Sequence, residues 1–353
     1  MKRLTCILLV LIFLFVMGGG AFAAGGKEES KGITIGMIVP TMANEFWVKV
    51  ADFTQKAADE LGFKLIVLDS RDSGDNQIKN AENLISQKVD GIIFPGYYDT
   101  GKRILQMTER AKIPVIVMDT TVTGVEPKGE FKTYEAFIGP SDRTAGYAVA
   151  DYLIKNMKAG AGGQKEMVAL YGTLGTSVNE NRRKGLEDAL KENPDVKLVA
   201  AQTGDFRRDE GMKVMENFLV AHPNVTAVWG ANDEMVLGAM NAIENVGKQK
   251  DIILGGINFN DEAIDAMLEG RYSFSTGGHW LMGGFAATIL YDYLHGFEIE
   301  ERDVLIVLAE VHSKEDAIAL KERWLPYPAW DFKAHSKTYS GPNAEQYTVL
   351  KVE

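Results

Sequence analysis

The apolar run ITIGMIVP (33–40) passes straight into TMANEFW (41–47), and a helical pattern, FWVKVADFTQKAADELG (46–62), follows. A near-continuous apolar run ahead of a helix is how a strand buried on both faces of a parallel sheet reads. The junction holds an amide beside two aromatic residues. Core packing accounts for Phe46 and Trp47 but gives Asn44 no role. A binding cleft at the strand's C-terminal end accounts for all three, because open parallel sheets bind ligands there.

The same unit recurs outward from this point. Strands are expected at 33–40, 64–70, 91–96, 114–120 and 136–140, then at 166–172, 197–204, 225–232, 251–258 and 272–278, with a late apolar run VLIVLAEV at 304–311. Most intervals hold one helix, such as 76–89, 144–157 and 233–247. In the last, Met235, Leu237, Met240, Ile243 and Val246 fall close to helical spacing. Right-handed crossovers place every strand's C-terminal end on one side of its sheet. Two such series predict an α/β protein of two lobes, divided near GPSDRTAG (139–146), where Gly-Pro closes one series. The segment 326–347, rich in Pro and aromatics and without periodicity, is expected to wrap the surface.

The first residues have the form of a secretory signal: MKR, an uncharged run LTCILLVLIFLFVM (4–17), then GGGAFAA with Ala21-Phe22-Ala23 as the cleavage site. The alternative, a membrane anchor, would need about 20 apolar residues. Cleavage would leave a polar leader at 24–32 and take the formal charge from −11 to −13, since Lys2 and Arg3 leave with the segment. It would also remove Cys6, the only cysteine, and with it disulfides, thiolate catalysis and cysteine metal sites. The acidic balance argues against a nucleic-acid partner.

Polar groups end the strands: Asn44 after a short loop, Asp69, Asp119, Asn232 with Asp233, and Asn258. Glu180, Phe206 and His279 with Trp280 lie in the connections. Helix capping and turns are the competing explanation, favoured for Asp142 and Asp261 (caps) and for Asp69 (a turn). The others together suit a polyhydroxylated ligand: carboxylates accept from hydroxyls, amides donate and accept, and rings cover C–H faces. No phosphate loop, dinucleotide fingerprint, zinc-protease helix or serine-nucleophile elbow occurs. His222, His295, His312 and His335 read as surface or packing residues. No cofactor and no metal is expected, and nothing marks Asp119 and Glu180 as an acid/base pair.

TMANEFW, VIVMDT, GTSVNENRRKG, GDFRRDEG, WGANDEMVLGA, LGGINFND and STGGHW occur in an order that resembles the ribose-type periplasmic sugar-binding proteins, over roughly residues 33 to 312. The resemblance implies the type I periplasmic binding protein fold: two Rossmann-like lobes joined by a three-segment hinge. The crossings would lie near 139–141, 277–279 and 305–310. The first lobe would be 33–139 plus about 279–305, the second 140–278 plus about 306–325, and the tail 326–353. It implies a ligand between the lobes, an ABC transporter permease and ATPase as partners, a periplasmic location, a monomer, and no enzymatic activity.

Site residues carry over one by one. Asn44 matches a sugar-binding amide, Phe46 and Trp47 the stacking aromatics, and Asp119 the carboxylate after the fourth strand. Phe206 matches an aromatic and Asn232 an amide of the second lobe, and Asn258 stands where the family usually has Asp. Thr120 replaces an Arg, Glu180 replaces another with Arg182 close by, and the family's Gln falls at Gly278, before His279 and Trp280. These departures point away from ribose and toward another sugar, a linear or cyclic polyol, or a cationic ligand facing Glu180. Whether Glu180 or Arg182 faces the ligand stays open. A sensing protein that feeds a chemoreceptor or kinase, a cytoplasmic repressor and a sugar hydrolase are the alternatives.

Overall fold

The computed structural model describes residues 32–349. The signal segment, residues 24–31 of the leader and the end of the tail lie outside the described residues. The chain begins β1 (Thr34–Val39), α1 (Glu45–Leu61), β2 (Lys64–Asp69), α2 (Gly74–Ser86), β3 (Gly91–Pro95), α3 (Gly101–Ala111), β4 (Val115–Met118) and β5 (Tyr134–Pro140). A second series follows: α4 (Asp142–Asn156), β6 (Lys165–Tyr171), α5 (Ser177–Glu192), β7 (Val196–Thr203), α6 (Arg208–Ala221), β8 (Ala227–Gly230), α7 (Asp233–Asn245), β9 (Ile253–Asn258), α8 (Asp261–Glu269) and β10 (Phe274–Gly277). A 3₁₀ turn (His279–Leu281) leads into α9 (Met282–Leu294), β11 (Asp303–Ile306), β12 (Ala309–Val311), α10 (Lys314–Trp324) and α11 (Lys337–Ser340).

Two six-stranded sheets result, ordered β11-β5-β4-β3-β1-β2 and β12-β10-β9-β8-β6-β7. All neighbours run parallel except β12, which is antiparallel to β10. Central strands are buried along their length, as in β3 and β8, because helices cover both faces.

The chain passes between the sheets three times: from β5 into α4, from β10 through the 3₁₀ turn into α9, and from β11 to β12. After the second passage α9 packs on α1 of the first lobe. After the third, α10 packs on α8 of the second. The late run 304–311, expected as one strand, is therefore two. Its apolar pattern continues through the crossing, but its hydrogen bonds divide between the edges of two sheets.

Local chemistry fixes the helices that carry the cleft. Asn44 caps α1, its side chain accepting from the Phe46 amide, and Gly62 ends that helix at φ 83°. In the second lobe α4 and α5 approach through glycines. A Cβ on Gly146 would lie 2.0 Å from the Arg182 carbonyl, and one on Gly185 2.1 Å from the Arg143 carbonyl. That close contact brings the Arg182 side chain to the start of α4.

The tail docks on the first lobe. Tyr327 stacks on Phe53 of α1, and Phe332 and Trp330 pack against Phe53 and Phe285. Asp292 on α9 accepts from the Ser336 hydroxyl (2.6 Å), the Lys337 amide (2.7 Å), the Thr338 amide (3.0 Å) and Gln346 Nε2 (2.6 Å).

Candidate functional site

A cavity of about 840 Å³ lies between the lobes, at the C-terminal ends of both sets of strands. Small-ligand sites span roughly 300–1,000 Å³. Asn44, Phe46, Trp47, Asp119, Arg182, Phe206, Asn232, Asn258 and His279 line it; Thr120, Glu180 and Trp280 do not.

The first lobe contributes most of the rings. Phe46 and Trp47 occupy the first turn of α1 and meet edge to face at 5.2 Å, and Trp47 meets Tyr97 likewise at 6.2 Å. The Phe46 ring also lies 4.6 Å from the His279 ring. Asn44 spends its Oδ1 on the helix cap at 2.9 Å, so its Nδ2 group is the part available to a ligand. Asp119 directly follows β4 and is buried, with the Thr120 hydroxyl donating to its Oδ2 at 2.9 Å. Burial raises the Asp119 carboxyl, against the opposing pull of Arg182 and of hydrogen bonds from Thr120 and Tyr97.

The second lobe contributes most of the amide and guanidinium groups. Arg182 Nε donates to Asp142 Oδ1 at 2.7 Å and Nη1 to the Ala231 carbonyl at 2.6 Å, while Nη2 lies 3.4 Å from His279 Nε2. A guanidinium has five N–H donors, so two remain. Arg182 can only donate, which makes His279 Nε2 the acceptor and places the imidazole proton on Nδ1. Burial, reinforced by Arg182, drives the His279 pKa well below its usual value, so the ring is neutral. Asn232 caps α7 through Oδ1, bonded to the Met235 amide, and donates from Nδ2 to the Phe206 carbonyl. The Phe206 ring sits directly over Gly172, in the space a Cβ there would fill. The Asn258 side chain shows no hydrogen bond to another described residue.

Glu180 and Arg182 lie two positions apart on α5, about 200° around the helix at 3.6 residues per turn. Arg182 takes the inward side, and Glu180 turns to Asn179 and Arg183. Trp280 follows His279 in the 3₁₀ turn but faces the first-lobe core, packed on Phe53 and Tyr327. Thr120 stands behind Asp119. Asp142 and Asp261 are not the caps the sequence suggested: Ser141 and Asn260 hold those positions. Asp142 instead pairs with Arg182, and Asp261 with Lys49. Asp69 does serve a turn, accepting from the Arg71 amide.

Backbone strain gathers here. Arg71 and Asp72, Tyr98 and Asp99, Asp119, Asp205 and Phe206, and Asn258 and Phe259 all have positive φ, between 52° and 137°. Each group ends or follows a strand on the cleft side. Such conformations cost of order 1–3 kcal/mol each and concentrate at functional sites. Tyr97, Asp72, Asp205, Arg207 and Arg208 also line the cavity and were missed in the sequence. The signal was available, because Tyr97 follows GIIFPG and the arginines follow Phe206. Arg207 pairs with Asp209, and Arg208 with Glu234 and Glu262.

Two contacts join the lobes beside the cavity. The Thr121 amide donates to Ser177 Oγ at 3.0 Å. Lys49 Nζ, buried, reaches Glu45 Oε1 (2.8 Å), Asp261 Oδ1 (2.6 Å) and the Phe259 carbonyl (3.2 Å), and the Asp261 amide donates to Glu45 at 2.8 Å. Among the described residues no three His, Cys, Asp or Glu side chains could together hold a metal ion. None of the described helices is long and apolar enough to cross a membrane.

Residues 35–298 match the family model described as a periplasmic binding protein domain. The chain is 35% identical over 240 residues to the ribose import binding protein of Salmonella typhimurium, covering 67% of this chain and 76% of that protein. It is 33% identical over 268 residues to the galactofuranose-binding protein of Escherichia coli, covering 74% and 82%. Among solved structures, a galactofuranose binding protein superposes with a TM-score of 0.75 at 28% identity, over 82% of this chain and 97% of that one.

Proposed function

The chain belongs to the periplasmic binding protein family, and from that premise we propose that it captures one small sugar or polyol in the interlobe cavity and delivers it to an ABC transporter permease. The observation that carries this reading is the donor and acceptor set on the cavity wall. Asp119 offers a buried acceptor. Asn44 Nδ2 and the two uncommitted N–H groups of Arg182 offer donors, and the Asn258 amide offers both. Phe46, Trp47 and Phe206 supply ring faces. Ring hydroxyls need such directed partners on several sides, and hinge closure supplies them from two lobes at once. The relatives named for ribose and galactofuranose support the carbohydrate class.

Asn44, Phe46, Trp47, Asp119, Arg182, Phe206, Asn232, Asn258 and His279 are the proposed contacts. Residues 1–23 direct export, the mature protein works in the periplasm as a monomer, and no bond is made or broken. Asp119 and Glu180 form no acid/base pair across the cavity, since Glu180 lies off its wall. Glu180 therefore selects no cationic ligand.

A thermal-shift screen of the purified protein against pentoses, hexoses, alditols and inositols tests the reading. A ligand at 100 times its Kd adds roughly 2.7 kcal/mol of stability, a rise of a few degrees for a protein of this size. One sugar or polyol that gives this rise, and is recovered unchanged after prolonged incubation, supports capture without chemistry. A converted product, or a response confined to non-carbohydrate ligands, contradicts it.

A further inference from the structure

Resting on that reading, we propose that Asp142 is a positioning residue that couples occupancy of the cavity to closure of the hinge, acting through Arg182. Asp142 does not line the cavity. It is the first residue of α4, two positions past Pro140, where the chain has just left the first sheet. Arg182 does line the cavity and holds Asp142 at 2.7 Å. The same guanidinium faces His279 at 3.4 Å, two positions past Gly277, where the chain leaves the second sheet. Its third partner, the Ala231 carbonyl, directly precedes Asn232.

One planar, rigid group thus touches the ligand wall and two of the three crossings. A guanidinium cannot follow a ligand on one edge without moving the groups bonded to its others. The second lobe must turn about Pro140–Asp142 and Gly277–His279 when the cleft shuts, so both crossings are read by the side chain that meets the ligand. The pair is almost fully buried, with the two side chains 3% and 5% exposed, so solvent does not screen it.

The cluster carries its own signature. Asp119 just after β4, His279 after β10 and Tyr97 after β3 are the titratable groups gathered around the Asp142–Arg182 pair. Burial pushes the Asp142 carboxyl up to about 7, Arg182 opposes that rise and Asp119 adds to it. His279 stays neutral through the same range, and Tyr97 is driven well above its usual value by burial and by Asp119. The charged pair is therefore present above about pH 7 and lost as Asp142 takes a proton below it. Coupling through the charged pair requires closure to lower the Asp142 pKa and release its proton, so closure weakens in that direction.

The test uses a lobe-to-lobe distance. With Cys6 replaced by Ser, Lys79→Cys on α2 and Lys213→Cys on α6, both exposed, place one spin label on each lobe. The probe is a millimolar mixture of D-ribose, L-arabinose, D-galactose and myo-inositol, with melting temperature read in parallel. We expect the mixture to shorten the distance and its apparent affinity to fall about tenfold from pH 8 to pH 6, inside the roughly 5- to 150-fold range of site-to-site couplings. Asp142→Asn should bind at the weaker level with a flat pH profile. Arg182→Lys, which keeps the charge but not the fork, should retain the pH slope with incomplete closure. An Asp142→Asn protein with the wild-type profile and closure overturns the coupling. So does a mixture that raises the melting temperature without shortening the distance. A mixture that does neither overturns the ligand reading beneath it.

Discussion

Most of the aromatic rings on the cavity wall come from the first lobe, and most of its amides and all of its guanidinium groups from the second. Phe46, Trp47 and Tyr97 brace one another edge to face and are each only 5–7% exposed. That surface is preformed and needs little ordering when a ligand arrives. Arg182, Asn232 and Asn258 are directional, and much of the hydrogen-bonding capacity of Arg182 and Asn232 is already assigned. A flat ring wall accepts many C–H faces. A wall with a few open donors at fixed angles accepts few hydroxyl patterns. Affinity should therefore come largely from the first lobe and selectivity from the second, with Thr41, Asn44, Asp72 and Asp119 the polar exceptions set among the rings.

That contrast can be broken at several points. The largest effect is expected from Arg182→Met. It leaves Asp142 and Asp119 buried without their cation, which should cost roughly 3–5 kcal/mol of stability in urea denaturation as well as ligand binding. A stability within 1 kcal/mol of wild type (roughly the size of an ordinary substitution) would mean the cluster is not held as described. Next comes Asn44→Asp. Aspartate caps a helix as well as asparagine, so α1 keeps its start while the Nδ2 donors vanish. Calorimetric affinity should fall about tenfold, near 1.4 kcal/mol, at an unchanged melting temperature. An equal loss of stability would make Asn44 a cap and nothing more.

Lys49→Met probes the rim. Without the ammonium, Glu45 and Asp261 face each other across the cleft, and like charges at close range oppose closure. A loss of affinity of about fivefold is expected, carried by faster release. Glu45→Gln added to it should restore part of the loss. A loss that Glu45→Gln does not relieve would remove charge from the explanation. The smallest effect belongs to Glu180→Gln, whose affinity should stay within about twofold, because that side chain pairs with Arg183 away from the wall.

Much of this was legible in the sequence because parallel strands are buried on both faces and so announce themselves. The strand-end rule then led from TMANEFW, MDT, GDF and GAN to the cavity wall. What escaped did so for local geometric reasons. VLIVLAEV is apolar on both sides of a crossing, so composition could not show where one sheet stops and the next begins. Glu180 and Arg182 are separated by about half a helical turn, and only the packing of Gly146 against Gly185 decides which looks inward. His279 and Trp280 are adjacent, yet one meets the cavity and the other the core, because successive residues of a 3₁₀ turn point in different directions. Asp142 reads as a helix cap until the guanidinium 40 positions later is seen to occupy it.

Asp119 stands where the two walls meet, a buried acceptor among the rings and within the field of Arg182. Isothermal titration of wild-type and Asp119→Asn proteins, with the sugar or polyol that gives the largest thermal shift, tests the central claim most directly. A ligand held between the lobes through that carboxylate should bind the variant about 10- to 150-fold more weakly, as expected for a charge-assisted hydrogen bond of roughly 1.5–3 kcal/mol, while the variant remains folded. Equal affinities for the two proteins would place the ligand elsewhere and contradict the account.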